Sequence, residues 1–565
     1  MSTQAEINLH WAQMLVNGMV AGGLQQVVMS PGSRSTPLVL ACERHPALKT
    51  WIQIDERCAA FFALGLARRE SRAVALIATS GSAAAHWLPA VIEACQSAIP
   101  LILLSADRPL ELQHWGANQT IDQSGLFSGQ VRAVHLLTVA DEGEDALRYV
   151  HQLGRRSLAE SGWPLPGPVH LNIPFREPLT PVQDDESFSF ETEAAPFVAP
   201  VLMPDPDQLQ RLAQKLSGRP GLIIAGPESS EIKHAEALLQ LAEVLGAPVL
   251  ADPLSGLRFG EYPQEPLICH YDSFLRQAGF AEHHQPDWIL RLGAMPVSKS
   301  LSEALNHWSD SFNILLDPQA RWRDPQHLSD EQVVADVVLF CEQLQMQISA
   351  SASGGWRDVF LQQQQQAKTK LESAEIFEAQ LTQQLLAALP AYSTLFSSNS
   401  LCIRNLDSFS GCGRKTLQII ANRGASGIDG NVSTLAGLAA NTRQGRVVGL
   451  LGDLACYHDM NGMLALAELD VLLIVINNRG GGIFHHLPQA ELPEFERNWQ
   501  TDSGLDFSQV ASLYHLAYAR VNSIEDFVSA LKTMLNQSGA RMLEVEIDAA
   551  DSVVRHQAYW QLLES

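Results

Sequence analysis

Along this chain, short runs of β-branched and aliphatic residues alternate with longer amphipathic stretches. In the first third, Val27–Ser30, Ala73–Thr79, Pro100–Ser105 and Val169–Ile173 read as strands, with a shorter one over Trp51–Ile54. Between them, Cys58–Arg69 and Ala83–Ser97 carry helical periodicity. This is a βαβ rhythm, which suits a parallel sheet covered on both faces. An acidic, proline-bearing stretch without periodicity, 180–200, reads as a linker. Strands then follow at Leu222–Ala225, Pro248–Ala251, Trp288–Leu292 and Ile314–Leu316. A second seam covers 351–370, loop-like at its start and compatible with helix along its glutamine run. The last strands are expected at Leu417–Ile420, Val447–Leu451, Val471–Ile476 and Met542–Ile547. The fold class is therefore α/β, with three doubly wound parallel-sheet domains at 1–185, 200–350 and 374–565. No short-period repeat is visible, although the first and third blocks can share a fold without sharing sequence.

Composition narrows the class. A length of 565 residues exceeds one core, and 46% hydrophobic with 18% charged residues describes a globular protein. The net charge of −24 repels nucleic acid and anionic membrane, so neither is expected as a partner. It also means that any anionic ligand must be met by a local cluster of arginines. The eight cysteines form no CxxC pair, as expected of reduced thiols in a cytoplasmic protein. The N-terminus lacks a basic n-region, so no signal peptide is expected, and no apolar run is long enough to span a membrane.

Candidate chemistry starts at Val447–Leu454, "VVGLLGDL", where a buried strand ends in a glycine and a carboxylate, Asp453. The next strand ends in Asn477-Asn478-Arg479-Gly480-Gly481-Gly482. If the two strands are neighbours, Asp453, the Asn478 amide oxygen and the Gly480 carbonyl make a half-shell of hard oxygens. Such a half-shell suits Mg²⁺ (or Mn²⁺) shared with phosphate groups. The alternative is an Asp cap on the following helix and an Asn-Asn turn. Four arginines, Arg34, Arg108, Arg404 and Arg423, lie at or just past strand ends, the ligand-binding edge of such sheets, and arginine suits bidentate capture of carboxylates.

The Gly-Asp and Asn-Asn pair resembles the signature of thiamine diphosphate enzymes, with Leu454 where a third glycine is commoner and a slightly short gap. That resemblance implies a glutamate at the coenzyme's aminopyrimidine, for which Glu56 in "IDERCAAFF" is the candidate. It also implies a bulky residue beneath the bent coenzyme, for which Ile428 is the candidate. The acid and the diphosphate site fall in different blocks. The family places the cofactor between subunits, so a homodimer or homotetramer is implied. More specific strings are "SPGSRSTPL", "SADRP", "GANQTI", "NRGASGIDG" and "NNRGGGIF". Together they resemble the 2-succinyl-5-enolpyruvyl-6-hydroxy-3-cyclohexene-1-carboxylate synthases of menaquinone biosynthesis, strongly in the first and third blocks and weakly in the middle one.

The resemblance implies a transferase that decarboxylates 2-oxoglutarate and adds the succinyl carbanion equivalent to isochorismate. It assigns Ser33, Arg34, Arg108 and Gln119 to isochorismate. Ser400, Arg404 and Arg423 fall to 2-oxoglutarate, with Ile483, Phe484 and Leu487 as an apolar wall. Lys299 matches half of a Lys-Arg pair near the isochorismate site. Ser300 replaces the arginine, so either another cation such as Arg291 compensates or the substrate is held less tightly. The adjacent His485 and His486 are assigned to structure. The competing readings are another thiamine-dependent 2-oxo acid decarboxylase or acetolactate-type synthase, and a scaffold that binds cofactor without turnover. No dinucleotide-type glycine motif follows a strand in 200–350, which counts against the FAD common in the acetolactate class.

Overall fold

Strands buried on both faces are the organising feature. β3 (Val74–Ala78), β4 (Leu101–Asp107) and β6 (Pro168–Pro174) are buried at every position, as are β7 (Gly221–Ala225) and β10 (Trp288–Leu292). Such strands need helices on both sides, and the computed structural model supplies them in an α/β arrangement with three six-stranded sheets. It describes residues 2–181, 196–227, 232–352, 355–442 and 444–564. Most of the linker expected at 180–200, and residues 353–354 of the second seam, lie outside the described residues.

The first sheet is completed by β1 (Gln26–Met29), β2 (Lys49–Ile52) and β5 (Ala133–Leu136), in the order β2-β1-β3-β4-β6-β5. The second adds β8 (Val249–Ala251), β9 (Leu267–Ile268), β11 (Phe312–Leu316) and β12 (Glu331–Val333), ordered β12-β11-β10-β7-β8-β9. The third comprises β13 (Ser393–Ser397), β14 (Leu417–Ala421), β15 (Val447–Gly452), β16 (Val471–Asn477), β17 (Ala517–Val521) and β18 (Ala540–Glu546). Its order is β14-β13-β15-β16-β18-β17. Every pairing within these sheets is parallel. The first and third sheets have the same connectivity, so two unlike sequences do share one topology.

The expected strands are present with boundary shifts of a residue or two. The helix expected over Ala83–Ser97 is two helices, Ser82–Ala85 and Leu88–Gln96, with Pro89 in the first turn of the second, where a missing N–H costs nothing. The glutamine run lies in the helix Trp356–Ser373.

The chain forms two compact units. One holds Met1–Ala199 with Asn422–Thr442 and Ala455–Leu469, and the other holds Pro200–Ala421, Arg443–Leu454 and Asp470–Ser565. In the first unit, the helices Glu56–Glu70 and Asn431–Ala439 cross backbone against backbone. A Cβ on Gly65 would stand 2.2 Å from the Thr434 carbonyl oxygen, and one on Gly437 would stand 2.1 Å from that of Phe62. Only glycine permits this approach, and it draws a piece of the last third of the chain onto the first sheet's unit. Gly65→Ala should therefore force the helices apart and lower stability by about 1–3 kcal/mol, measured by urea unfolding; an unchanged midpoint would contradict the close crossing.

Candidate active site

In a doubly wound sheet, the loops leaving two neighbouring strands diverge where the strand order reverses, and a crevice opens at their carboxyl ends. In the first sheet this happens between β1 and β3, and in the third between β13 and β15. These two points are where the candidate residues are expected to gather.

After β1 the chain runs through Gly32 and Ser33 to Arg34. Gly32 is required, because a Cβ there would stand 2.4 Å from the Thr79 side chain at the end of β3. Ser33 is exposed, whereas Arg34 is buried, with Nη1 donating to the Phe175 carbonyl at 2.9 Å and Nη2 to Glu177 Oε1 at 2.7 Å. Arg108 follows β4, and its Nη1 donates to Ser80 Oγ and to the Gln119 carbonyl. Gln119 returns a bond from Nε2 to the Ser80 carbonyl at 2.9 Å. Burial, then the neighbouring charge of Arg34, pulls the Arg108 guanidinium down from its ordinary value. Thus Arg34, Arg108 and Gln119 do come together, with two cations close enough to feel each other.

Beneath them lies a polar scaffold that the sequence reading missed. Asp107, 1% exposed, accepts from the Arg108 N–H, from Asn172 Nδ2 and from Gln113. Asn172 Oδ1 accepts from Ser105 and Gln123, and Ser105 Oγ lies 2.7 Å from His170 Nε2. Burial pushes the Asp107 carboxyl up, and the same desolvation holds His170 down at about 4. A signal was present: His170 and Asn172 are polar residues two apart in the otherwise apolar β6, so they share a face.

Glu56 is the first residue of its helix and is half-buried. Asp55 caps that helix by accepting from the Arg57 and Cys58 N–H groups, and its other oxygen accepts from Asn461 Nδ2 at 3.0 Å. Asp459, fully buried, accepts from Ser433 N–H at 2.6 Å, from Ser433 Oγ and from Cys58 Sγ. Burial raises the Asp459 carboxyl to about 6, opposed by the Ser433 hydrogen bonds, and raises the Cys58 thiol to about 12. Two carboxylates thus fix the turn that presents Glu56.

Arg423 and Ile428 share one loop. Its backbone is pinned by Glu93, 3% exposed, which accepts from Gly424 N–H at 2.9 Å and Ala425 N–H at 2.7 Å and pairs with Arg68 at 3.1 Å. Ile428 is 36% exposed on this loop. Glu93 was not found from sequence because the loop it holds lies more than three hundred residues away.

At the third sheet, β15 and β16 are neighbours with Gly452 opposite Ile476, as the metal reading required. Asp453 is 5% exposed, with Oδ2 accepting from Gly480 N–H at 2.6 Å and Oδ1 from Leu454 N–H at 2.8 Å. Asp453 is also the first residue of its own helix, from whose Leu454 N–H it accepts. Burial pushes its carboxyl up against these bonds. The Asn478 side chain lies over Gly482, where a Cβ would meet it at 2.2 Å, and open space surrounds the place of a Cβ on Gly452. A desolvated carboxylate beside an amide and a glycine loop, facing open space, fits a divalent cation with a diphosphate. Across the crevice, Ser400 adopts φ 69°, and its carbonyl accepts from Arg404 Nη1 at 2.9 Å. Ile483 and Phe484 are half-buried on the short helix Gly482–His486, and Leu487 is 40% exposed just beyond it. His485 stacks edge-on with Phe495 and His486 with His556, which makes them packing groups.

Lys299 does not join a cluster: its side chain is 85% exposed and pairs with Glu303 at 3.2 Å. Ser300 is buried, bonded to Asp272 and Ser298 in a network with no room for an arginine. Arg291 does not compensate, because it is buried against Asp324 at 2.7 Å. At the second sheet's reversal, between β7 and β10, a Cβ on Gly226 would stand 1.7 Å from the Ala294 carbonyl oxygen, so backbone fills that crevice.

The fold and the two strand-end clusters define a thiamine pyrophosphate enzyme. Family models for the N-terminal TPP binding domain, the middle domain and the C-terminal TPP binding domain match residues 9–126, 192–397 and 412–545. The chain is 42% identical over 95% of its length to the 2-succinyl-5-enolpyruvyl-6-hydroxy-3-cyclohexene-1-carboxylate synthase of Dechloromonas aromatica, covering 98% of that protein. Proteins of the same name from Oceanobacillus iheyensis and Haloarcula marismortui are 40% and 39% identical over 97% and 100% of the chain, covering 96% and 99% of those proteins. The chain belongs to this synthase family.

Glu93→Ala should remove the acceptor for two backbone N–H groups and leave Arg68 unpaired, at a cost of roughly 2–3 kcal/mol. Urea denaturation measures this; a loss below a few tenths would show that the loop holds itself.

Proposed function

We propose that the chain decarboxylates 2-oxoglutarate and joins the succinyl carbanion equivalent to isochorismate, giving 2-succinyl-5-enolpyruvyl-6-hydroxy-3-cyclohexene-1-carboxylate for menaquinone biosynthesis. The observation that carries this reading is the Arg34–Arg108 pair, two neighbouring guanidinium groups at a strand-order reversal in a protein of net charge −24. Thiamine diphosphate, when bound, supplies the electron sink for carbanion chemistry. Asp453, Asn478 and the Gly480 carbonyl would hold a divalent cation, Mg²⁺ or Mn²⁺, with its diphosphate. Glu56 would hold and move a proton at the aminopyrimidine, and Ile428 would support the coenzyme from below. Ser400, Arg404 and Arg423 take the carboxylates of 2-oxoglutarate. Ser33, Arg34, Arg108 and Gln119 take isochorismate, while Ile483, Phe484 and Leu487 exclude water from the reacting carbon. Lys299, exposed on its helix, has the weakest support as a substrate residue.

The reading includes a homodimer or homotetramer that completes each site with Glu56 of a second copy. Ile52 and Ile54, just before Glu56, are 57% and 70% exposed, an apolar surface suited to such a cover. A cytoplasmic location accords with eight free thiols, six of them buried.

The test is consumption of 2-oxoglutarate with and without isochorismate, in the presence of Mg²⁺ and thiamine diphosphate. Glu56→Gln should reduce decarboxylation by at least about a hundredfold, the low end of general acid–base contributions, with an unchanged circular dichroism spectrum; normal turnover would refute its proton role. Asp453→Ala should abolish Mg²⁺-dependent coenzyme binding followed by tryptophan fluorescence, and retained tight binding would overturn the metal site.

A further inference from the structure

Glu177 is a carboxylate on the substrate arginine, and the sequence reading gave it no role. It lies beyond the end of β6, where the chain is firmly held: Asn8 Nδ2 donates to the Arg176 carbonyl at 2.7 Å and to that of Pro178 at 3.2 Å. The neighbouring Arg176 side chain is turned to Glu111 at 2.6 Å. The Glu177 side chain alone points the other way, onto Arg34 Nη2 at 2.7 Å. The two partners differ sharply in exposure. The Arg34 side chain is 6% exposed and that of Glu177 70%. Arg34 Nη1 is taken by the Phe175 carbonyl, and the buried Nε has no partner among the described residues. The accessible edge of the guanidinium is thus the one that Glu177 covers, and Glu177 also lowers the charge felt by Arg108.

We infer that Glu177 is an exchangeable counter-ion and a specificity-determining residue of the acceptor site. This inference rests on the assignment of Arg34 to isochorismate. A ligand carboxylate reaches Arg34 by taking the place of the Glu177 carboxylate, which swings into solvent on a fixed backbone. Until then Glu177 keeps two close guanidinium groups from repelling each other. A neutral or weakly acidic ligand cannot compensate for the lost ion pair, whereas a dicarboxylate can. The residue therefore selects for a doubly charged acceptor at some expense of affinity.

Glu177→Gln keeps the size and removes the charge. An exposed pair is worth up to about 1 kcal/mol, so the KM for isochorismate should fall about 2–5-fold. The KM for 2-oxoglutarate should not follow it, and phthalate, a dicarboxylate probe, should inhibit competitively against isochorismate at proportionally lower concentration. Glu177→Asp should restore the wild-type KM at least in part. An isochorismate KM that is unchanged or raised in Glu177→Gln, while Arg34→Ala raises it tenfold or more, would overturn the exchange and leave Glu177 as a brace. An isochorismate KM unmoved by Arg34→Ala would overturn the assignment of Arg34, and the inference with it.

Discussion

A parallel sheet forces its functional groups to one edge. Its strands are buried on both faces, so the interior has no room for charge that is not compensated. All strands point the same way, so every loop that can reach the crevice leaves from the carboxyl ends. Because β1 and β13 each lie between a strand reached by one crossover and a strand reached by another, each sheet parts its loops at one place. Ser33, Arg34, Ser80 and Gln119 gather at the first parting, and Ser400, Arg404, Asp453 and Asn478 at the second. The second sheet has its own reversal, but there the Gly226 backbone meets Ala294, and the same geometry yields a packed joint. The topology offers three crevices, and the glycine-mediated backbone contact at Gly226 closes one of them.

Electrostatics divides the labour differently from what the net charge suggests. The exposed excess of acid sets the long-range field, yet the loops are held by buried carboxylates. Asp107, Asp459, Glu93 and Asp453 are each almost inaccessible; Asp107, Glu93 and Asp453 accept backbone N–H groups at or next to candidate residues, and Asp459 accepts that of Ser433. A carboxylate is suited to this because it accepts several bonds in a fixed plane, and charge-assisted bonds are about twice as strong as neutral ones. Desolvation raises the carboxyls of Asp107, Asp459 and Asp453, while hydrogen bonding opposes that rise. Site geometry therefore depends on hydrogen bonds that would be lost if these groups were left unpaired.

The sequence was most legible where structure is local. Continuous apolar runs marked the central strands, and the glycine–aspartate and asparagine pairs marked the crevice of the third sheet. β13 was missed although it is central, because "STLFS" has only two large apolar residues and its polar positions are buried by neighbours distant in sequence. β5 and β17 are largely exposed as edge strands are, and β9 and β12 are only two or three residues long, too short to show a period. The packing of Asn422–Thr442 and Ala455–Leu469 with the first sheet's unit was also hidden. It depends on matching glycines, Gly65 and Gly437, whose meaning appears only when the two helices face each other.

Ser300 shows why matching a motif is weaker than reading an environment. Taken alone, serine where the resemblance implies an arginine suggests a lost substrate contact in need of replacement. In place, Ser300 shares Asp272 with Ser298, while Ser408 and Arg276 take the other oxygen of that carboxylate. Asp272 is held below the usual carboxylate range: burial raises it, but Arg276 and these hydroxyls outweigh that effect. An arginine at this position would bring a bulky second cation into a network already neutralised by Arg276, and Arg291 is committed to Asp324. Arg291 is thus committed to a buried acid, whereas Arg34 and Arg108 are held by the Phe175 and Gln119 carbonyls and the Ser80 hydroxyl, with only the exposed Glu177 carboxylate paired to Arg34.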